Sequence, residues 1–124
     1  MSATPSHDPN CIFCMIVAGQ IPSRKVHEDD ELLAFHDIAP WAPVHFLIIP
    51  KAHIASMMSV GPEHERLLGR MMALAPRLAM EQGCNPYPAG GFRLVVNTGT
   101  EAGQEVHHLH LHVIGGPRPW RKGL

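Results

Sequence analysis

Residues 107–116 read HHLHLHVIGG, and the alternation inside this stretch restricts the local fold more than any other feature of the chain. Histidine and apolar residues that exchange places at every step have the period of an extended strand, whose side chains point to opposite faces in turn. In a strand over VHHLHLHVI, ending at Gly115-Gly116, His108, His110 and His112 share one face. His107, Leu109, Leu111 and Val113 share the other. Same-face neighbours stand about 6.6 Å apart, so His108 and His112 are separated by ~13 Å at the backbone, too far for all three rings to converge on one metal. Such a row suits a phosphoryl group and its ester. With an unperturbed pKa of roughly 6.5, one neutral imidazole can serve as nucleophile or base while its neighbours donate to phosphate oxygens. His107, on the opposite face, reads as a rim or interface residue.

The rest of the chain supplies partners for that strand. KVHED (25–29) and the second half of ELLAFHDI (31–38) read as strands around an Asp29-Asp30 turn, and HFLIIP (45–50) as a strand buried on both faces. CIFCMIVA (11–18), stopped by Gly19, predicts a turn or two of helix. From Pro62 at a first helical position, Leu67, Leu68, Met71, Leu74, Ala75 and Leu78 recur at helical spacing until Gly83, which predicts the one long helix, kinked at Pro76. FRLVVNTG (92–99) predicts another strand, and the polar loop TEAGQE joins it to the histidine strand. Strand pairs, one helix, then two more strands predict an α+β domain built on an antiparallel meander with the helix packed on one face.

Composition narrows the class of function. A net charge of −1 offers no broad basic field, which argues against nucleic acid or an anionic membrane as the main partner. MSATPSHDPN lacks the apolar core of a signal peptide, and no later segment has the length to span a bilayer, so a cytoplasmic protein is expected. Of three cysteines, Cys11 and Cys14 form C-x-x-C, which in a reducing compartment more often binds metal or does redox work than forms a disulfide. Two buried cysteines in an apolar segment are the plain alternative.

His108-Leu109-His110-Leu111-His112-Val113-Ile114 resembles the His-apolar-His-apolar-His-apolar-apolar signature of the histidine triad superfamily. The stretches CIFCMIVAGQIPSRKVHEDDELLAFHDIAPWAPVHFLIIPKAHI and NTGTEAGQEVHHLHLHVIGG are similar to its nucleotide-binding (Hint) branch, so the resemblance covers Cys11 to Gly116. It implies a domain over residues 11–116, a flexible segment over 1–10 and a tail over 117–124 near the active site. It also implies pairing with a second copy into one continuous sheet, and a purine nucleotide site in each copy.

The implied reaction is hydrolysis of the P–N bond of nucleoside 5′-monophosphoramidates, such as the adenosine compound or nucleotidylated lysine, through a nucleotidyl-histidine. By position, His110 is the implied nucleophile, His112 donates to the phosphate and helps the leaving group depart, His108 orients its neighbours, and His45 is the fourth active-site histidine. Asp37 matches the acidic residue that binds ribose hydroxyls, with Phe35, His36 and Ile38 around the nucleoside. Asn97 and the segment Gly103, Gln104, Glu105, Val106 approach the phosphate. Glu105 stands where animal members carry serine, and a carboxylate there favours a cationic amine such as lysine. Some branches bind structural zinc through residues matching Cys11, Cys14, His53 and His108, a closed set that leaves no open position. A tail tryptophan of relatives finds a near counterpart in Trp120. The rival readings are a dinucleoside polyphosphate hydrolase, a nucleotide-binding regulatory protein with incidental catalysis, and a metal-binding protein whose histidine row serves metal alone.

Overall fold

The computed structural model describes residues 6–121. The expected flexible segment 1–10 and tail 117–124 therefore lie partly outside the described residues. Helix α1 (Ile12–Val17) precedes strands β1 (Lys25–Glu28), β2 (Leu32–His36) and β3 (Val44–Pro50); helix α2 (Glu65–Glu81), β4 (Phe92–Val95) and β5 (Leu111–Gly115) follow. The strands form one antiparallel sheet in the order β1-β2-β3-β5-β4. The domain is α+β and antiparallel, as the periodicities predict, but the sheet is not the simple meander expected: β1, β2 and β3 follow one another, whereas the chain passes through α2 to the far edge at β4 and β5 returns between β3 and β4.

Alternation along the strands divides the core in two. Leu32 and Ala34 of β2, Val44, Phe46 and Ile48 of β3, and Leu111 and Val113 of β5 face α2, which contributes Met71, Ala75, Leu78 and Ala79. Leu33, Phe35, Leu47 and Ile49 face the other way and are covered by Cys11, Phe13 and Cys14. This explains why HFLIIP carries no polar alternation: every residue of β3 is buried. Burying the larger of these side chains contributes about 1.5–3 kcal/mol each before chain entropy is counted.

The Asp29-Asp30 turn forms because the Asp29 carboxylate accepts the N–H groups of Glu31 and Leu32, both at 2.9 Å. The same turn is pinned to α2 by Arg70 on Asp29 and Glu31 and by Arg66 on Glu31. Pro62 opens a 3-10 turn (Pro62–His64) rather than the α-helix itself. Helix α2 runs on through Pro76, which is solvent-exposed, so the carbonyl that it leaves without a backbone donor at the exposed Met72 is within reach of water.

Two strands are shorter than the pattern predicts. β5 begins at Leu111, not Val106, because the β3 ladder ends at the Ile48–Leu111 pair. Leu109 N–H is instead taken by the carbonyl of Ile54 at 2.6 Å. The residues before β5 nevertheless keep the alternation, with Leu109 in the α2-side core and His108 and His110 buried. β4 stops at Val95, opposite His112, one residue short of the start of β5. At its far end β5 closes on Gly115, where a Cβ would sit 2.6 Å from the Sγ of Cys84 and 2.9 Å from the carbonyl of Gly91. Gly116 follows at φ +94°, which only glycine adopts freely.

Candidate functional site

On the sheet face away from α2, β3 contributes His45 and β5 contributes His112, diagonal neighbours across one ladder (His45 opposite Ile114, Leu47 opposite His112). His110 enters from the segment before β5, its ring 5.0 Å from that of His112. His45, His108, His110 and His112 are all buried, and each has a hydrogen-bond partner.

Those partners determine which nitrogen carries the proton in each neutral ring. Carbonyl oxygens only accept, so His110 donates from Nδ1 to the carbonyl of His108 at 2.7 Å, which leaves its Nε2 lone pair bare. The amide of Trp41 donates to Nδ1 of His45 at 3.0 Å, so the proton of His45 sits on Nε2. That proton points at Nδ1 of His112, 2.9 Å away, and the proton of His112 is left on Nε2. The backbone thus presents one bare nitrogen, on His110, beside one free N–H, on His112.

Burial keeps these rings neutral. Desolvation pushes His112 down to about 4, helped by the neighbouring His110 and His45, and lowers His45 and His110 against the opposing pull of the Asp37 carboxylate. Asp37 has one oxygen on the amide of Ala39 at 2.8 Å and the other 3.5 Å from Nε2 of His45. An imidazole held neutral with an unencumbered lone pair is a nucleophile at neutral pH.

His108 is turned the other way. It donates from Nε2 to the carbonyl of Pro50 at 2.8 Å, and its Nδ1 lone pair faces Cys11 Sγ at 3.3 Å and Cys14 Sγ at 3.6 Å. Nδ1 of His53 lies 3.4 Å from Cys14 Sγ. In a zinc tetrahedron with bonds of about 2.3 Å to sulfur and 2.05 Å to nitrogen, the sulfur-to-nitrogen edge is about 3.5 Å. Those three sulfur-to-nitrogen distances fall near that edge length, and all four donor atoms lie within 4.8 Å of one another. Backbone N–H groups of Cys14 and Asp8 point at the two sulfurs, at 3.3 and 3.4 Å, as they would at thiolates. Burial depresses His108 to about 4, so it is a neutral ligand, while burial raises the Cys14 thiol, which a cation would reverse. The donor set therefore fits a closed metal site. Asp37, His45 and His112 are as closely grouped but do not fit one. His45 accepts at Nδ1 and already holds its proton at Nε2, so it has no second lone pair to give.

The remaining expected site residues are dispersed around this centre. Phe35 is buried against Phe13, with ring centroids 5.4 Å apart. Burial lowers His36, and Ile38 is fully exposed beyond Asp37. Asn97 and Val106 are half-buried, while Gly103 and Glu105 are exposed. The amide of Gln104 is occupied: it accepts from Gly99 N–H and donates to the carbonyls of Ala55 and Val106, bracing the loop before the histidines. His107 is exposed, as a rim position would be. Trp120 donates to the carbonyl of Gly116 and has the guanidinium groups of Arg93 and Arg118 over its ring, 5.3 and 4.3 Å from a ring centroid, in a groove of about 430 Å³ lined by no histidine.

Sequence reasoning missed two side chains. Phe13, between the cysteines, sets its ring edge-on to His110 at 5.2 Å. Trp41 lies parallel to His112, with ring centroids 5.5 Å apart and planes 10° from parallel. The visible signal was an aromatic residue held between prolines in APWAP, immediately before a strand that opens on histidine.

Residues 10–122 match the family model described as "Scavenger mRNA decapping enzyme C-term binding". The chain is 48% identical over 108 residues to protein HitA of Neisseria gonorrhoeae, covering 87% of this chain and 97% of that one. It is 45% identical over 117 residues to the purine nucleoside phosphoramidase of Escherichia coli (strain K12), covering 91% and 96%. Among solved structures, the HIT family hydrolase of Legionella pneumophila Philadelphia 1 superposes with a TM-score of 0.82 at 46% identity, covering 88% of this chain and 95% of that one.

Proposed function

The chain belongs to the histidine triad family, as a nucleotide hydrolase of its nucleotide-binding branch, and from that premise we propose that it hydrolyses the P–N bond of purine nucleoside 5′-monophosphoramidates. The observation that carries this reading is the bare Nε2 of His110 beside the free Nε2–H of His112. An amine is a poor leaving group unless it takes up a proton, so a nucleophile and a proton donor held 5.0 Å apart, ring to ring, are what the bond requires.

The steps follow from those roles. The substrate's phosphate anion draws one proton from solvent onto the His45–His112 pair. Nε2 of His110 attacks phosphorus, the P–N bond breaks, and the amine leaves with the proton handed over by His112. Water then attacks the nucleotidyl-His110, returns the nucleoside monophosphate, frees the ring and gives one proton back to the pair. Asp37 holds the ribose hydroxyls and Phe35, His36 and Ile38 surround the nucleoside. Asn97, Gly103, Gln104, Glu105 and Val106 bound the phosphate and leaving group.

Cys11, Cys14, His53 and His108 would hold a zinc ion, which supplies a structural anchor between α1 and the approach to β5 and leaves the chemistry to His110 and His112. The working unit is a homodimer in a reducing, cytoplasmic setting, with residues 11–116 as the catalytic domain and 117–124 as a tail beside the site. Light scattering should give twice the chain mass at micromolar concentration.

The test is competition on the purified protein between adenosine and guanosine phosphoramidates and diadenosine polyphosphates, with rapid-quench mass spectrometry of the intermediate. Phosphoramidates should turn over faster, and a nucleotidyl adduct should map to His110. Faster cleavage of the polyphosphates would make the protein a dinucleoside polyphosphate hydrolase. Tight AMP binding with no turnover of either would make it a nucleotide-binding regulator.

A further inference from the structure

Trp41 meets the histidine pair in two independent ways. Its amide N–H is the donor that sets the proton of His45, and its indole lies parallel to His112 and offset from it, with ring centroids 5.5 Å apart. The loop that carries it has little freedom. Pro40 and Pro43 flank it, and its carbonyl accepts the N–H of Arg121 at 2.7 Å. The guanidinium of Arg121 also stands 5.7 Å from the indole centroid.

His112 is therefore constrained on three sides: His45 at Nδ1, the edge of His110 on one flank, and the indole face on another. A hydrogen bond at Nδ1 fixes one atom of the ring and leaves rotation about the bond that joins the ring to Cβ opposed only weakly. An offset parallel aromatic face opposes that rotation, because tilting the ring drives one edge into the indole or pulls the overlapping edge away from it. The direction of Nε2–H follows from the ring plane, and a donor displaced by about 1 Å loses its effect on a leaving group.

We propose that the Trp41 side chain is a positioning residue for the proton-donating step, holding the plane of His112 so that its Nε2–H meets the leaving nitrogen. This rests on the phosphoramidase reading above and deepens it. A role confined to the donor separates substrates by their leaving groups. Loss of the indole slows release of an alkylamine, which must be protonated, and spares release of a 4-nitrophenolate, which departs as a stable anion.

The experiment compares wild type, Trp41→Ala and Trp41→Phe on an adenosine 5′-alkylphosphoramidate and on the 4-nitrophenyl ester of AMP. Trp41→Ala should lose roughly 10- to 50-fold in kcat on the amide, with KM changed less than about threefold, and less than about threefold on the ester. Trp41→Phe, which keeps an aromatic face, should stay within about threefold of wild type on both. A second arm needs no turnover. Nitrogen-15 relaxation at the protonated Nε2 of His112 should report a rigid ring in wild type and a mobile one in Trp41→Ala, with the proton at Nε2 in both because the main-chain donor of Trp41 is kept. Equal loss on the two substrates, or His112 relaxation unchanged in Trp41→Ala, overturns the assignment. A wild type that leaves the amide intact sinks the phosphoramidase reading instead, and the nitrogen-15 arm then decides the role of Trp41 alone.

Discussion

Two groups of imidazoles lie side by side on this sheet, one around His108 and the other around His112, and they are wired in opposite senses. In the first, His108 places its proton on the carbonyl of Pro50, so its free lone pair points toward Cys11 and Cys14, with His53 completing the set. In the second, protons and lone pairs alternate along a line from the amide of Trp41 through His45 to His112. Converging lone pairs invite a cation, whereas an alternating line carries a proton to its end. Both groups would pass a search for clustered ligands, and only the backbone partners separate them. His110 stands between, joined to the first through the carbonyl of His108 and to the second through ring contact with His112.

The strongest test of this division removes the residue between the groups. His110→Ala should lower phosphoramidate kcat by about 10⁴-fold or more, since the covalent route is closed, while AMP affinity by calorimetry stays within a few-fold. Turnover near normal would mean that the bare nitrogen is not the nucleophile.

Next in size is the metal group. Cys14→Ser should reduce zinc content from one per chain toward zero and cost about 2–5 kcal/mol of stability, because an ion that binds only the folded chain adds its binding energy to folding. Elemental analysis and chemical denaturation read the two effects. Unchanged metal content and stability would reduce this group to two buried cysteines beside two histidines.

Acid should act on both groups in chelator-treated protein. Unfolded imidazoles take up protons below about pH 6.5, whereas His108 and His112 are held neutral down to about 4. Stability is therefore full above pH 6.5 and falls as pH drops through that window, by about 2 kcal/mol per ring at pH 5. A flat denaturation midpoint from pH 7 to 5 would contradict the neutral assignments. With zinc present the His108 share should shift to lower pH, because proton and metal compete for one lone pair.

The smallest effect separates the groups most cleanly. His45→Leu should lower kcat on an alkylphosphoramidate by about 10- to 30-fold, through loss of the donor that fixes His112, with zinc content unchanged. A variant that loses metal along with activity would show that the two groups are one.

Much of this was legible in the sequence, for a physical reason. Period-2 alternation placed His108, His110 and His112 on one face, the backbone distance argued that they would not serve one metal, and the continuous apolar run marked β3 as buried on both faces. The early end of the β5 ladder was not legible, because it depends on Ile54 capturing the Leu109 amide from a segment more than fifty residues away. Nor were the proton positions. They are set by the carbonyls of Pro50 and His108 and the N–H of Trp41, and every residue carries the same carbonyl and, proline apart, the same N–H whatever its letter. Trp41 and Phe13 were overlooked because a lone aromatic is more often packing than function. Their importance comes from which rings they touch.

The close approach of Gly115 to Cys84 gives the molecule a built-in clock. Cys84 is 3% exposed and its thiol is pushed up by burial, so an alkylating reagent must wait for the packing of the core around the glycine end of β5 to open. The labelling half-life of this one sulfur then records how often the core opens beside the end of the strand that bears His112. That interval is readable by mass spectrometry in a working enzyme, with no probe added to the site.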